Sequence, residues 1–292
     1  MHDLLPRPAP SAGARELIHG LLESRLREDE FAVPLLPEVA RRVLRARGDQ
    51  SMDARRLAQI VNADPALSMH LLRVVGAAAR RPLTPILSLP HAVAWLGVEE
   101  VANVAFTLAV QGRMLEVPGQ QHKARALWRH SLACALWAQR LARLLGRDAG
   151  LCHLCGLLHD IGKAVTLGAV RDLAERAGCR LGGEDYDALV ETFHRPVGAR
   201  VVTAWAMPEP VIAVIMHWEA YPSAQTLRVE CNVVHAAHRL AEHTLRATSG
   251  FQRDLAAGEP AVVDLALPED AAVELLEGAP QIHAEVDQYL AP

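Results

Sequence analysis

The segment GLLHDIGKAV, residues 156–165, sets a histidine and an aspartate side by side where an apolar helix runs into a glycine. Imidazole nitrogen and carboxylate oxygen together suit a borderline or hard divalent cation. A third donor is at hand. His130 follows Leu127 by three residues and precedes Cys134 by four, which puts it on the apolar stripe of a helix expected over residues 123–146. Alone on such a face, a histidine is more often a hydrogen-bonded core residue than a ligand. Paired with His159 and Asp160 from the next helix, it completes a candidate set of three N/O donors. Two readings are open at this stage: a metal site that does chemistry, or the remnant of one in a protein that only binds. Lys163 is similarly open, either to a phosphate contact or to capping a helix C-terminus.

These residues need helices to position them, and helical signals fill the chain. Pro37 opens a helix that Gly48 closes, and Asp64-Pro65 starts another through residue 81. Ser88 caps a short helix ended by Gly97, and a further helix follows over 98–115. LEVPGQQHK, 115–123, mixes Pro, Gly and polar residues and reads as a joint between two halves. Beyond 123–146, helices are expected at 149–160, 169–178, 184–193, 196–206, 209–217 and 224–245. SGFQRDLAAGEPAVVD reads as a polar connection leading to two short acidic helices. Nothing reads as a strand, so the expected class is all-α.

Composition agrees. Hydrophobic residues make up 51% of the 292 residues and aromatics only 4%, a Leu/Ala/Val core that favours packed helices. No apolar run is long enough to span a bilayer, and MHDLLPRPAP lacks a basic head before an apolar stretch, so a cytoplasmic location is expected. The five cysteines form no disulfide framework, and CHLC at 152–155, mid-helix without a second pair, reads as two core cysteines. Residues 1–150 carry 20 Lys+Arg against 14 Asp+Glu, and residues 151–292 carry 10 against 20, so the halves are +6 and −10. That distribution argues against nucleic acid as a partner. Arg239 and Glu242 read as a surface pair, and Trp128, Trp137, Trp205 and Trp218 as core or interface anchors.

His130 followed by GLLHDIGK resembles the HD superfamily of metal-dependent phosphohydrolases. The blocks PLLPEVARRVL, LAQIVNADPALSMHLLRVV, ILSLPHAVAWLGVEEVANVAF, LWRHSLACALWAQRLA, FHRPVGARVVTAWAMPEPVIAVIMHWE and CNVVHAAHRLAEH narrow it. Over residues 31–245 they are similar, in order, to the HDOD family, the HD-related output domains of bacterial signalling proteins. The resemblance implies a two-part helical domain, an N-terminal bundle followed by an HD-like core. The corresponding divisions are a lead-in helix over 1–30, the N-terminal subdomain over 31–115, the HD-like core over 116–248 and an acidic tail over 249–292. It also implies a metal set drawn from His130, His159, Asp160, His194 in FHRPVG, His217 in IMHWE and His238, with Fe, Mn or Zn as the cation. His238 stands where the family usually has an aspartate. Imidazole brings no negative charge there, which weakens a site for hard cations most. In HWEAYP, 217–222, Trp218 replaces the second histidine of the cyclic di-GMP-hydrolysing relatives and Ala220 precedes Tyr221-Pro222, which argues against that activity. Gly76-Ala77 replaces the family's common Asn-Ser.

Two functional expectations follow. The first is a non-catalytic regulatory and signal-transduction module, working through a signalling protein partner or a small phosphate-containing ligand, with self-association open. The second is a metal-dependent phosphohydrolase acting on a nucleotide or other phosphoester, with Lys163 near the phosphate.

Overall fold

The computed structural model describes residues 13–47, 53–77, 86–115, 117–246 and 251–291. Among them there are sixteen α-helices and no strand, so the all-α expectation holds. No helix among the described residues is long and apolar enough to cross a membrane.

The N-terminal part contains α1 (Ala14–Arg27), α2 (Glu38–Arg47), α3 (Ala54–Asn62), α4 (Pro65–Ala77), α5 (Leu89–Leu96) and α6 (Val98–Leu115). Side-chain caps set the starts of α3, α4 and α5. Asp53 accepts from the Arg56 N–H at 2.8 Å, Asp64 from the Leu67 N–H at 3.0 Å and Ser88 from the His91 N–H at 3.3 Å. The expected stop at Gly48 and the extension of α4 to residue 81 lie outside the described residues. The next part holds α7 (Gln121–Leu144), α8 (Ala149–Leu158), α9 (Ile161–Arg176), α10 (Gly183–Ala204), α11 (Glu209–His217), a 3-10 segment over Trp218–Ser223, and α12 (Arg228–Arg246). One apolar core runs through both parts, from Ile18 and Leu57 to Trp137 and Leu240. α1 packs on α9 and α10.

Two expectations about helix ends are corrected. The sequence pattern predicts two helices, 149–160 and 169–178, with a gap after the glycine. Instead α8 ends at Leu158, the chain turns at His159-Asp160, and α9 begins at Ile161 with Gly162 in its first turn. Gly162 is a point of close approach rather than a stop. A Cβ there would lie 1.8 Å from the His194 carbonyl oxygen and 2.7 Å from the Gly198 nitrogen, so α9 and α10 can touch only without it. The helices expected at 184–193 and 196–206 are one continuous α10, with Pro196 inside it. Proline removes the bond to the Thr192 carbonyl. Packing against α9 holds the helix on course.

The tail has more structure than expected. The presumed polar connection contains α13 (Arg253–Ala257) and α14 (Pro260–Val263), followed by α15 (Glu269–Glu277) and α16 (Ala279–Leu290). α16 packs on α4, α7 and α12, burying Ile282, Val286, Tyr289 and Leu290. Its acidic groups meet α7: Arg140 donates to Glu285 at 2.8 Å and Arg129 to Asp287 at 2.6 Å. The Tyr289 carbonyl accepts from Gln111 of α6 at 3.2 Å.

Candidate metal centre

α7 supplies His130, the α8–α9 junction supplies His159 and Asp160, and α12 supplies His238. One ligand atom from each lies within 4.8 Å of all the others. Glycine makes this possible on the α8 side. A Cβ at Gly156 would sit 2.9 Å from the Ala135 Cα and the Cys134 carbonyl oxygen, so α8 lies almost against the backbone of α7 one turn beyond His130. On the other side, fully buried Ala236 and Ala237 let α12 approach α7 just before His238.

The ring orientations converge. His159 donates Nδ1–H to the Gly156 carbonyl at 2.7 Å, which fixes its Nε2 toward the centre. His238 Nδ1 lies 2.9 Å from His130 Nε2 and 3.1 Å from His159 Nε2. Burial, then the charges of His159 and His130, push the His238 imidazole down to about 2, so a neutral ring presents its Nδ1 to the other two. For His159, burial works against the charged form, but Cys134 and Asp160 outweigh it and hold the imidazole well above its ordinary value. Asp160 is the mirror case: burial opposes its charge, and His159 and Lys163 keep its carboxyl well below the usual range.

Asp160 also supplies the test of fit. Its Oδ2 accepts from Lys163 Nζ at 2.9 Å and lies 3.4 Å from His159 Nε2. Its Oδ1 is buried with no hydrogen-bond partner. An unsatisfied buried oxygen costs about 1–3 kcal/mol, more when charged. A cation held by Asp160 and the three imidazoles would remove that cost, and the donor types are those of a divalent-metal site. The residues fit a metal.

The other candidates stand apart from this group. His194 is buried in α10, with Nδ1 donating to the Glu191 carbonyl at 2.8 Å and Nε2 3.6 Å from Glu219. His217 is exposed at the end of α11. Trp218, expected as an anchor and as the replacement of a second histidine, is a direct neighbour of the centre. Its ring centroid is 4.9 Å from those of both His159 and His238, and it walls one side of the centre. His235 Nδ1, 3.2 Å from the Trp218 carbonyl, and Tyr221, whose hydroxyl donates to Asp264 at 2.6 Å, hold that segment in place. The centre borders a cavity of about 340 Å³ whose lining includes Leu127, Leu167, Val190, Lys123 and Lys163.

Two further readings meet the structure here. Arg239 and Glu242 are more than a surface pair. Arg239 also grips Glu259 through two bonds of 3.0 Å, and His243 lies 2.7 Å from the same carboxylate, so the α12 face is tied to the tail. Cys152 and Cys155 are buried free thiols, with burial pushing Cys152 up to about 12, as core cysteines rather than a redox or metal pair.

Comparison with known proteins shows where this fold recurs. A Shewanella amazonensis protein named as a presumed metal-dependent phosphohydrolase is 22% identical, with a TM-score of 0.71, over 94% of this chain and 100% of that one. An HDOD domain protein of unknown function from Geobacter sulfurreducens is 21% identical, with a TM-score of 0.71, over 94% of this chain and 98% of that one. A Marinobacter aquaeolei protein, described as belonging to signal transduction, is 22% identical at a TM-score of 0.66, over 96% of this chain and 66% of that one. At these identities the likeness is one of fold. Among curated relatives, a Treponema pallidum protein of uncharacterized function is 26% identical over 66% of this chain and 38% of its own length. Ribonuclease Y of Rhodopirellula baltica is 36% identical over 23% of this chain and 13% of its own. The chain thus spans well under half the length of the curated relatives it matches. The model of the HDOD domain matches residues 33–221, more than half of the chain, and the chain belongs to the HDOD family.

Proposed function

We propose that this chain is a non-catalytic regulatory module of signal transduction that holds a divalent metal, Fe, Mn or Zn, at His130, His159, Asp160 and His238. The observation that carries this reading is the state of the carboxylates around the cavity. Asp160 is bound by Lys163, Asp187 by Lys123, and Glu242 by Arg239. Hydrolysis at a phosphoryl group calls for a base placed beside the attacking water. Every carboxylate lining this cavity is already in an ion pair. A bound metal would supply a Lewis acid and an acidified water. The chain's own residues would bind and orient a ligand: Leu127, Leu167 and Val190 give apolar walls, and Lys123 and Lys163 give two cations for an anionic group such as a phosphate. A small phosphate-containing ligand or a signalling protein is the partner this reading requires.

The test is turnover. Protein loaded with Mn, Fe(II) or Zn, offered nucleoside phosphates, cyclic nucleotides and p-nitrophenyl phosphate, is expected to leave them intact. Hydrolysis that disappears in His159→Ala overturns the reading. It would favour the second one, a metal-dependent phosphohydrolase, which Lys163 beside the cluster supports.

A further inference from the structure

We propose that the centre takes a single borderline cation, zinc or ferrous iron, and that His238 sets this selectivity against manganese and magnesium. The inference deepens the metal-holding part of the proposed function and is independent of whether the centre turns anything over.

Three features of the site lead to it. The first is the donor count. Three ring nitrogens and one carboxylate converge, so the ligand set carries one negative charge. Imidazole suits zinc and iron, whereas magnesium and calcium want oxygen, six ligands or more, and several retained waters. The second is the carboxylate itself. Asp160 Oδ2, 3.4 Å from His159 Nε2, also accepts from Lys163 at 2.9 Å, so part of the one carboxylate's charge is neutralised by an ammonium beside the centre. The third is the wall. The Trp218 ring lies edge-on to His159 at 86° and tilted 45° to His238, and Trp218 itself is only 5% exposed. An indole there offers no oxygen donor on that side of the centre. Among the described residues, the tetrad is the one group of three or more His, Cys, Asp or Glu donors close enough together to hold a metal, which fits a single ion. A four-ligand N₃O geometry is the one zinc favours.

The discriminating measurement follows from the same chemistry. Nearly any N/O site binds zinc more tightly than manganese, so a bare preference proves nothing. The informative quantity is how the zinc-to-manganese affinity ratio changes when His238 becomes aspartate. Metal-stripped full chain and His238→Asp are titrated calorimetrically with zinc, manganese and magnesium. The wild type is expected to bind one equivalent of zinc, and the ratio to fall about tenfold or more in the variant, the scale at which ligand-shell changes act. An unchanged ratio, a stoichiometry of two, or wild-type manganese affinity equal to that for zinc overturns the proposal. X-ray absorption of the zinc-loaded wild type keeps the test independent of whether the variant folds. Three imidazole ligands are expected, and two or fewer overturn it. Turnover by a three-imidazole centre would defeat the non-catalytic reading alone, whereas zinc uptake with an unchanged ratio in the variant would defeat this inference alone.

Discussion

At the residue scale, the two glycines flanking the His-Asp doublet matter as much as the doublet. Gly156 brings α8 onto α7, and Gly162 brings α9 onto the backbone of α10. Neither is there for a left-handed conformation, since the residues with positive φ are others. Gly162→Ala forces a methyl group into the His194 carbonyl, with no side chain able to move aside. Overpacking costs typically about 1–3 kcal/mol and more where only backbone can yield. We expect at least the upper end of that range, read as a drop in the denaturant midpoint. A second residue-scale prediction concerns the cluster. Zinc at a hundredfold excess over its Kd should raise stability by about 2.7 kcal/mol through mass action, and EDTA should reverse the rise. His130→Ala should abolish most of it, and a full zinc-dependent rise in that variant would show that the metal sits elsewhere.

At the scale of elements, α12 is held from two sides. Its inner face meets α7 through His238, and its outer face meets the tail through the Arg239–Glu259–His243 network. The bonds from Arg239, with His243 adding to them, hold the Glu259 carboxyl below its ordinary value of 4.5 against the opposing effect of burial. The sign is that of a depressed acid. Its stabilisation is present above the unfolded value near 4.5 and is lost as pH falls through the lower folded value. Glu259→Gln is therefore expected to cost stability at pH 7 and to flatten the pH dependence below about pH 5, measured by thermal unfolding across that range. Equal losses at pH 7 and pH 3 would show that the network contributes packing rather than charge.

For the whole molecule, the tail behaves as part of the core. Ile282 is fully buried, and α16 spans α4 of the first part and α7 and α12 of the second. Ile282→Ala should cost about 2–5 kcal/mol. The loss should appear in one cooperative transition, because one apolar cluster includes residues of both parts and of the tail. Two separated transitions, followed by circular dichroism and by the fluorescence of the buried tryptophans, would mean that the parts unfold independently. That outcome would restore the tail to the status of an appendage.

How much of this was legible in the sequence depends on the distance over which each feature is decided. Caps are local, so Asp64 and Ser88 start their helices for reasons contained in four residues. Helical periodicity is local too, and it set His130 on the buried face of α7 before any neighbour was known. The His-Asp doublet and the ordered family blocks named the fold and four of the residues that converge. What the sequence could not decide is what lies opposite. Pro196 reads as a break because proline removes a hydrogen bond, yet α10 continues past it, since α9 packs along its length. Gly162 reads as a stop because glycine often ends helices, yet the requirement is contact with a backbone 32 residues away in the chain. His194 and His217 carry the same side chain as His238, and no rule of spacing separates them. Only the packing of α12 on α7 aims one imidazole at the centre, while His194 turns to its own carbonyls and His217 to solvent. Residue type and local pattern determined the donors available to this protein. The close approach of helices, permitted by glycine and alanine at the contacts, decided which of them meet.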